Sequence, residues 1–243
     1  MHITTITFNL PLHEHQLPLF KQAILGIEGL EHSLYNNKIY HEEGDGQNLH
    51  RYPPIQYRVF EGLATLWGIN EGGRRLEADV SSKILQEFFW QGRPQFFQLV
   101  RHFVHTDEKA EYLGEDHFMR YRLNNYLPLS NHVSGSRQTS SYDEYAAAPD
   151  FSSKITILQR IIVSHLLLFS YAVGWKLQAD ERIKVRIVDL KDISKAYYKK
   201  GHTEKEKCFK KFDLIVDINA KLPNGISLGN QVALGYGVLE AFV

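Results

Sequence analysis

The chain has 243 residues, in which 28 Lys+Arg balance 28 Asp+Glu beside 12 His and one Cys, with 43% hydrophobic and 23% charged residues. That composition excludes a disordered tail, a collagen-like fibre and a coiled coil; a lone thiol excludes a disulfide framework and fits a reducing cytoplasm. The length suits one large domain or two small ones, and a neutral total still permits charged patches along the chain.

In chain order, Ile3, Ile6, Phe8 and Leu10 among Thr and Asn predict a strand that Pro11 stops. Met1 to Leu10 has no basic stretch followed by an apolar run and small-residue cleavage site, so no export signal is read there. His13 to Gly29 predicts a helix, with Leu17, Phe20, Ile24 and Ile27 at helical spacing and Gly29 as its C-cap. Leu34 to Arg51 is polar and irregular, a loop long enough to carry function. Ile55, Tyr57 and Val59 alternate with polar partners, Glu61-Gly62 turns, and Ala64 to Ile69 returns as the second arm of a hairpin. Gly72-Gly73 opens a helix over Leu76, Val80, Ile84 and Leu85, and Phe96 to His105 reads as a fourth strand. The order is β-α-β-β-α-β, the ferredoxin-like arrangement in which two helices cover one face of a four-stranded antiparallel sheet.

The second half restarts with a strand over Phe118 to Leu129, ending at Pro128. Asn131 to Pro149, rich in Ser and small residues, predicts a mobile loop. Phe151 to Leu177 predicts the main core helix, with Phe151-Ser-Ser153 as its capped start. Its apolar run from Ile155 to Trp175 is broken by Gln159, Arg160, Ser164, His165 and Ser170, which marks a core helix rather than a membrane span. Ile183 to Leu190 and Phe212 to Ala220 predict strands, and a glycine-studded segment closes the chain. The fold class is therefore α+β, two tandem ferredoxin-like (RRM-like) βαββαβ domains with antiparallel sheets, over 1–115 and 116–243, the last helix of the second being the least evident.

Glu181 to Lys221 holds 12 Lys+Arg against 7 Asp+Glu, so the neutral total hides a basic stretch that acidic segments elsewhere offset. Lys199, Lys200, Lys210 and Lys211 are interleaved with Tyr197, Tyr198 and Phe209, supplying phosphate contacts plus rings on which a base can stack. The alternative is a solvated hairpin whose lysines guard an edge strand. In the terminal segment, Gly225, Gly229, Gly235 and Gly237 surround Asn230, Gln231 and Tyr236. Glycines there allow positive φ and close backbone approach, and successive free N–H groups can cradle a phosphate; a bulged hairpin needs glycines as well.

Ala233-Leu-Gly-Tyr-Gly237, closing a β-rich half, resembles the C-terminal glycine-rich loop of the CRISPR repeat-processing endoribonucleases, and Tyr52-Pro-Pro-Ile-Gln-Tyr-Arg58 with Trp67-Gly-Ile-Asn-Glu-Gly72 is similar to the N-terminal half of a bacterial subgroup of them. The resemblance implies a cytoplasmic, metal-independent endonuclease that grips precursor CRISPR RNA between two ferredoxin-like domains and cuts within repeats. The 2′-hydroxyl attacks the adjacent phosphate, leaving a 2′,3′-cyclic phosphate and a 5′-hydroxyl. It further implies repeat RNA as partner, companion CRISPR effector subunits, no cofactor, no membrane, and a monomer or homodimer. The alternative is a non-cleaving repeat-RNA-binding subunit of an effector complex.

Such chemistry needs a base, an acid and charge stabilisation. The family places its histidine just after the first helix, where His32, His41 and His50 bracket the irregular loop. His41, preceded by Tyr40 and Lys38, is the first candidate, His50 beside Arg51 the second and His32 the third. Lys38 or Arg51 stabilises the transition state, and Tyr35 or Tyr40 orients the phosphate. His13-Glu-His15 is not a metal pair at a helix start, where the two side chains point ~200° apart, and Cys208 has no evident partner as a nucleophile.

Overall fold

A computed structural model describes residues 1–36, 38–39, 47–48, 51–85, 89–90, 93–94, 98–130, 139–194 and 210–242. It falls into two compact units: Met1–Lys109 together with Val232–Gly235, and Ala110–Gln231 together with Tyr236–Val243.

In the first unit the elements are β1 (Ile3–Pro11), α1 (Leu17–Leu25), α2 (His32–Tyr35), β2 (Ile55–Phe60), β3 (Leu63–Ile69), α3 (Glu71–Asp79) and β4 (Leu99–His105). The antiparallel sheet runs β2-β3-β1-β4, the expected ferredoxin-like order. Period-two alternation sends Ile6, Phe8 and Leu10 of β1, with Leu66 of β3 and Tyr57 of β2, into one core against Phe20 and Ile24 of α1. Phe20 stands edge-on to Phe8 and Tyr57, at centroid distances of 6.3 and 5.8 Å.

Helix α1 is shorter than the periodicity suggests. A 3-10 turn over Glu14–Gln16 precedes it, and it ends at Gly26, with Gly29 in the left-handed conformation of the next turn. Helix α3 continues into a π-helical turn over Val80–Ile84, which puts Val80 and Ile84 into the core. The irregular stretch before β2 contains the α2 turn and a two-residue pairing of Lys38–Ile39 with Gln47–Asn48.

A buried polar chain fixes α2. Tyr57 Oη donates to the Tyr35 carbonyl (3.0 Å), Tyr35 Oη donates to Asp79 Oδ2 (3.1 Å), and Arg75 Nε donates to the same oxygen (2.7 Å), with Lys83 Nζ 3.4 Å from Asp79 Oδ1. Burial pushes both tyrosine hydroxyls far above their ordinary range, and the Asp79 charge adds to the effect at Tyr35.

The second unit holds β5 (Met119–Tyr126), α4 (Ser141–Ala147), α5 (Phe151–Val173), β6 (Val185–Asp192), β7 (Phe212–Ile218) and β8 (Val238–Ala241), in sheet order β6-β7-β5-β8. This repeats the first sheet strand for strand. Between β7 and β8 the chain has no α-helix, and its 3-10 turn over Val232–Leu234 belongs to the first unit. Helix α5 is long and apolar enough to cross a membrane by length and composition, and it buries Leu158, Ile161, Ile162, Leu166 and Phe169. Its cap is Asp150, which accepts from Ser153 N (2.7 Å), and Gly174 at φ 72° stops it before the expected Leu177. The expected loop from 131 to 149 includes α4, because Ser140 caps a helix by accepting from Asp143 N (3.1 Å). Its residues 131–138 lie outside the described part.

Under α5, Tyr126 Oη lies 2.8 Å from His165 Nδ1, and burial pushes the imidazole down from 6.5 to about 4. The unfolded chain takes this proton near 6.5 and the folded chain only near 4. Stability is therefore full above pH 6.5 and declines below it, by about 2 kcal/mol at pH 5. Urea unfolding between pH 7.5 and 4.5 should show this slope in the wild type and a shallower one in His165→Gln. Asp79→Ala strands two donors and should cost about 3 kcal/mol in the same assay at pH 7.

Candidate functional site

Of the candidate histidines, His41 and His50 lie outside the described residues, as do Tyr40, Lys199 and Lys200 and the side chain of Lys38. His32 opens α2 and is exposed. Arg51 Nη2 donates to the Ser33 carbonyl (2.9 Å), which brings this candidate cation to the turn that carries His32. The buried chain through Asp79 holds that turn in place from beneath. Tyr35 does not orient a phosphate, because its ring is fully buried and its hydroxyl is committed to Asp79. His13 and His15 do not diverge. His13 precedes the 3-10 turn in extended backbone, and the two rings stack at 5.7 Å and 10°. Among the described residues no group of three or more His, Cys, Asp or Glu is placed to hold a metal ion.

The terminal segment runs beside β8. Gly225 N donates to Leu239 O (2.8 Å), Leu239 N to Ile226 O (2.7 Å), and Leu228 N to Gly237 O (2.8 Å). Asn230 acts as a strap: its amide and side-chain nitrogen both reach Leu127 O, at 2.9 and 3.0 Å, and the side chain also reaches Leu129 O (3.1 Å). Gly235 N bonds Val232 O (2.9 Å) and Gly237 N bonds Asn125 O (3.2 Å). The amides of Gly225, Asn230, Gly235 and Gly237 are thus used inside the protein and do not form the expected cradle of free N–H groups.

Gly229, Gly235 and Gly237 of this segment are each sterically required. A Cβ on Gly237, at φ 70°, would sit 1.8 Å from Leu228 O. One on Gly235, at φ 71°, would sit 2.7 Å from Tyr57 O, where the neighbouring Leu234 packs on the first unit's core. Gly229 also has positive φ, as does the exposed Gln231.

Of the basic residues, Lys211 Nζ lies over the Tyr236 ring at 5.6 Å, so the structure brings these two candidates together. Lys210 Nζ donates to Asp192 Oδ2 (2.7 Å), which holds its ammonium above the ordinary range. At Asp192, burial pushes the carboxyl up, but the donors from Lys210 and Ser194 outweigh it and the net shift is down. Asp192 was not read from the sequence as part of this cluster. Its signal is positional, since it pairs with Phe212 where β6 and β7 meet. Tyr145 of α4 was missed too; it stands edge-on to Phe212 at 6.0 Å with Lys154 Nζ over its ring at 5.5 Å.

Gly237→Ala should lose about 3 kcal/mol or more in urea unfolding, whereas Gln231→Ala on the exposed turn should stay within about 0.5 kcal/mol.

Comparison with known proteins agrees with this architecture. The Cas6b N-terminal domain family matches residues 1–95 and the Cas6b C-terminal domain family matches residues 114–242. Among solved structures, the chain is similar to a Cas6b (18% identity, TM-score 0.72), to a CRISPR RNA processing endoribonuclease Cas6b (17%, 0.64) and to Csf5, a type IV CRISPR-Cas Cas6 crRNA endonuclease (15%, 0.59). In each case both chains are covered in full, and the likeness establishes the tandem ferredoxin-like fold. No curated protein sequence is a significant match. With both halves matched in order, the chain belongs to the Cas6b family of CRISPR repeat-processing endoribonucleases.

Proposed function

We propose that this chain cuts precursor CRISPR RNA within each repeat, without a metal ion, by transesterification. A base removes the proton of the 2′-hydroxyl upstream of the scissile bond, and the 2′-oxygen attacks the adjacent phosphorus. The bond to the 5′-oxygen breaks as an acid returns a proton to it, leaving a 2′,3′-cyclic phosphate and a 5′-hydroxyl. The observation that carries this reading is the match of both halves of the chain to the two Cas6b domains. The loop between α1 and β2 supplies His41 as first candidate for a proton-transfer role, with His50 and His32 behind it. Arg51, tied to the α2 turn, is suited to the charge that builds on the phosphate. The Lys211–Tyr236 pair offers a cation and a ring to the substrate. Repeat RNA is the partner this reading requires, and the cytoplasm is where the chain would meet it.

Incubation of the purified chain with a host repeat transcript in EDTA should give one cut per repeat with a cyclic phosphate end. Loss of cutting in EDTA would remove metal independence. Tight repeat binding without scission under any condition would leave a repeat-RNA-binding subunit instead. His41→Ala should slow single-turnover cleavage by about 10² to 10⁴-fold; an unchanged rate would move the role to His50 or His32.

A further inference from the structure

The outward face of the second sheet carries two guanidinium–aromatic stacks that the reading above leaves unused. Alternation along β5 buries Tyr121 and Leu123 and turns Arg120 and Arg122 outward. Arg122 lies over the Phe242 ring at 5.5 Å, and Arg186 of β6 lies over Phe118 at 4.0 Å. Both arginines are exposed, and Phe242 is 44% exposed.

The carboxylates of this sheet already have donors. Asp217 accepts both Nε and Nη2 of Arg120 (2.7 and 2.9 Å), and Glu240 accepts from Asn124 Nδ2 (3.0 Å). Asp213 accepts from Asn125 N (2.9 Å) and Asp189 from Leu190 N (2.9 Å). Among the described residues neither Arg122 nor Arg186 is within ion-pair distance of a carboxylate; each lies over a ring, and the Arg186 charge also helps to lower the Asp217 carboxyl, after the larger effect of Arg120. A guanidinium held over a ring by a cation–π contact keeps N–H groups for bidentate bonds to a phosphate or a base edge, beside an aromatic surface on which a base can stack. Two such units on one open sheet face suit an extended strand with splayed bases, not a duplex, whose bases are stacked inside.

We propose that this face binds single-stranded RNA flanking the repeat, through Arg122 on Phe242 and Arg186 on Phe118. The proposal rests on the repeat-RNA reading for its substrate, but it concerns a separate surface with its own readout. Four cations, Arg120, Arg122, Arg186 and Lys191, meet the four carboxylates named above, so stacking and bidentate contacts carry recognition rather than net field. Two phosphate contacts correspond to a slope of about −1.4 in log K against log salt.

The test uses the full chain with a bare repeat, a repeat extended by an unstructured single strand, and the same extension made duplex. Wild type should bind the single-stranded extension about tenfold tighter than the bare repeat, with no gain from the duplex. Arg122→Ala with Arg186→Ala should abolish the gain while bare-repeat affinity and saturating cleavage rate stay unchanged. Arg122→Lys with Arg186→Lys, which keeps the charge and loses the planar fork, should also lose most of it. No gain in wild type, a gain retained by the alanine pair, full gain in the lysine pair, or an equal gain with duplex would each overturn the proposal. Flank-dependent binding without cleavage would support it while removing the endonuclease reading alone.

Discussion

Asp79 is the buried charge on which the α2 turn of the first unit depends. Its carboxylate is almost fully enclosed and takes donors from Tyr35 and Arg75, with Lys83 close by. A buried carboxylate is tolerated only with such partners, and removing any of them exposes the rest to an unpaid desolvation cost. Because Tyr35 ends α2 and its carbonyl accepts from Tyr57, the network ties one helical turn to α3 and to the edge strand β2 at once. His32 sits at the start of that turn, and Arg51 is bonded to it from the far end of the loop. The described ends of this segment, the α2 turn and Arg51, are thus tied to each other and to the core.

The second unit solves a different problem. Its final crossover has no α-helix, yet the chain between β7 and β8 still has to satisfy its backbone groups. It does so by bonding glycine amides and the Asn230 side chain to carbonyls of β5, β8 and their flanks. The glycines are there because carbonyl oxygens occupy the places where side chains would stand. A motif that signals phosphate binding in a line of text proves, at four of its amides, to be a structural seam. What remains on its surface is chemical in a different way, a lysine over a tyrosine ring and an exposed glutamine at a left-handed turn.

Net charge is therefore a poor guide to the cationic surfaces of this chain. Salt bridges consume several of the lysines and arginines, Lys210 with Asp192 and Arg120 with Asp217 among them. The cations that stand out are those resting on aromatic rings, where geometry counts for more than number.

Both ferredoxin-like sheets were legible in the sequence, because burial of one sheet face imprints period two on β1, β5 and β7, and burial of a helix stripe imprints period 3.6 on α1 and α5; β2 alternates as well, although its Gln56 and Arg58 are buried along with its apolar residues. Helix ends were less so: Gly26 and Gly174 end helices whose C-terminal limits the apolar spacing placed further on, and the Ser140–Asp143 capping signal was hidden in a Ser-rich stretch. The terminal glycines were visible as a motif, but whether their amides faced a ligand or a carbonyl depended on Leu127 and Asn125, about a hundred residues away. Tyr35 shows the same limit. Its residue type suited phosphate orientation, and only the approach of Asp79 in the folded chain committed its hydroxyl to the core. Periodicity is a local consequence of burial and survives in the one-dimensional chain; the partner of a polar group is settled by long-range packing and is decided by the tertiary structure alone.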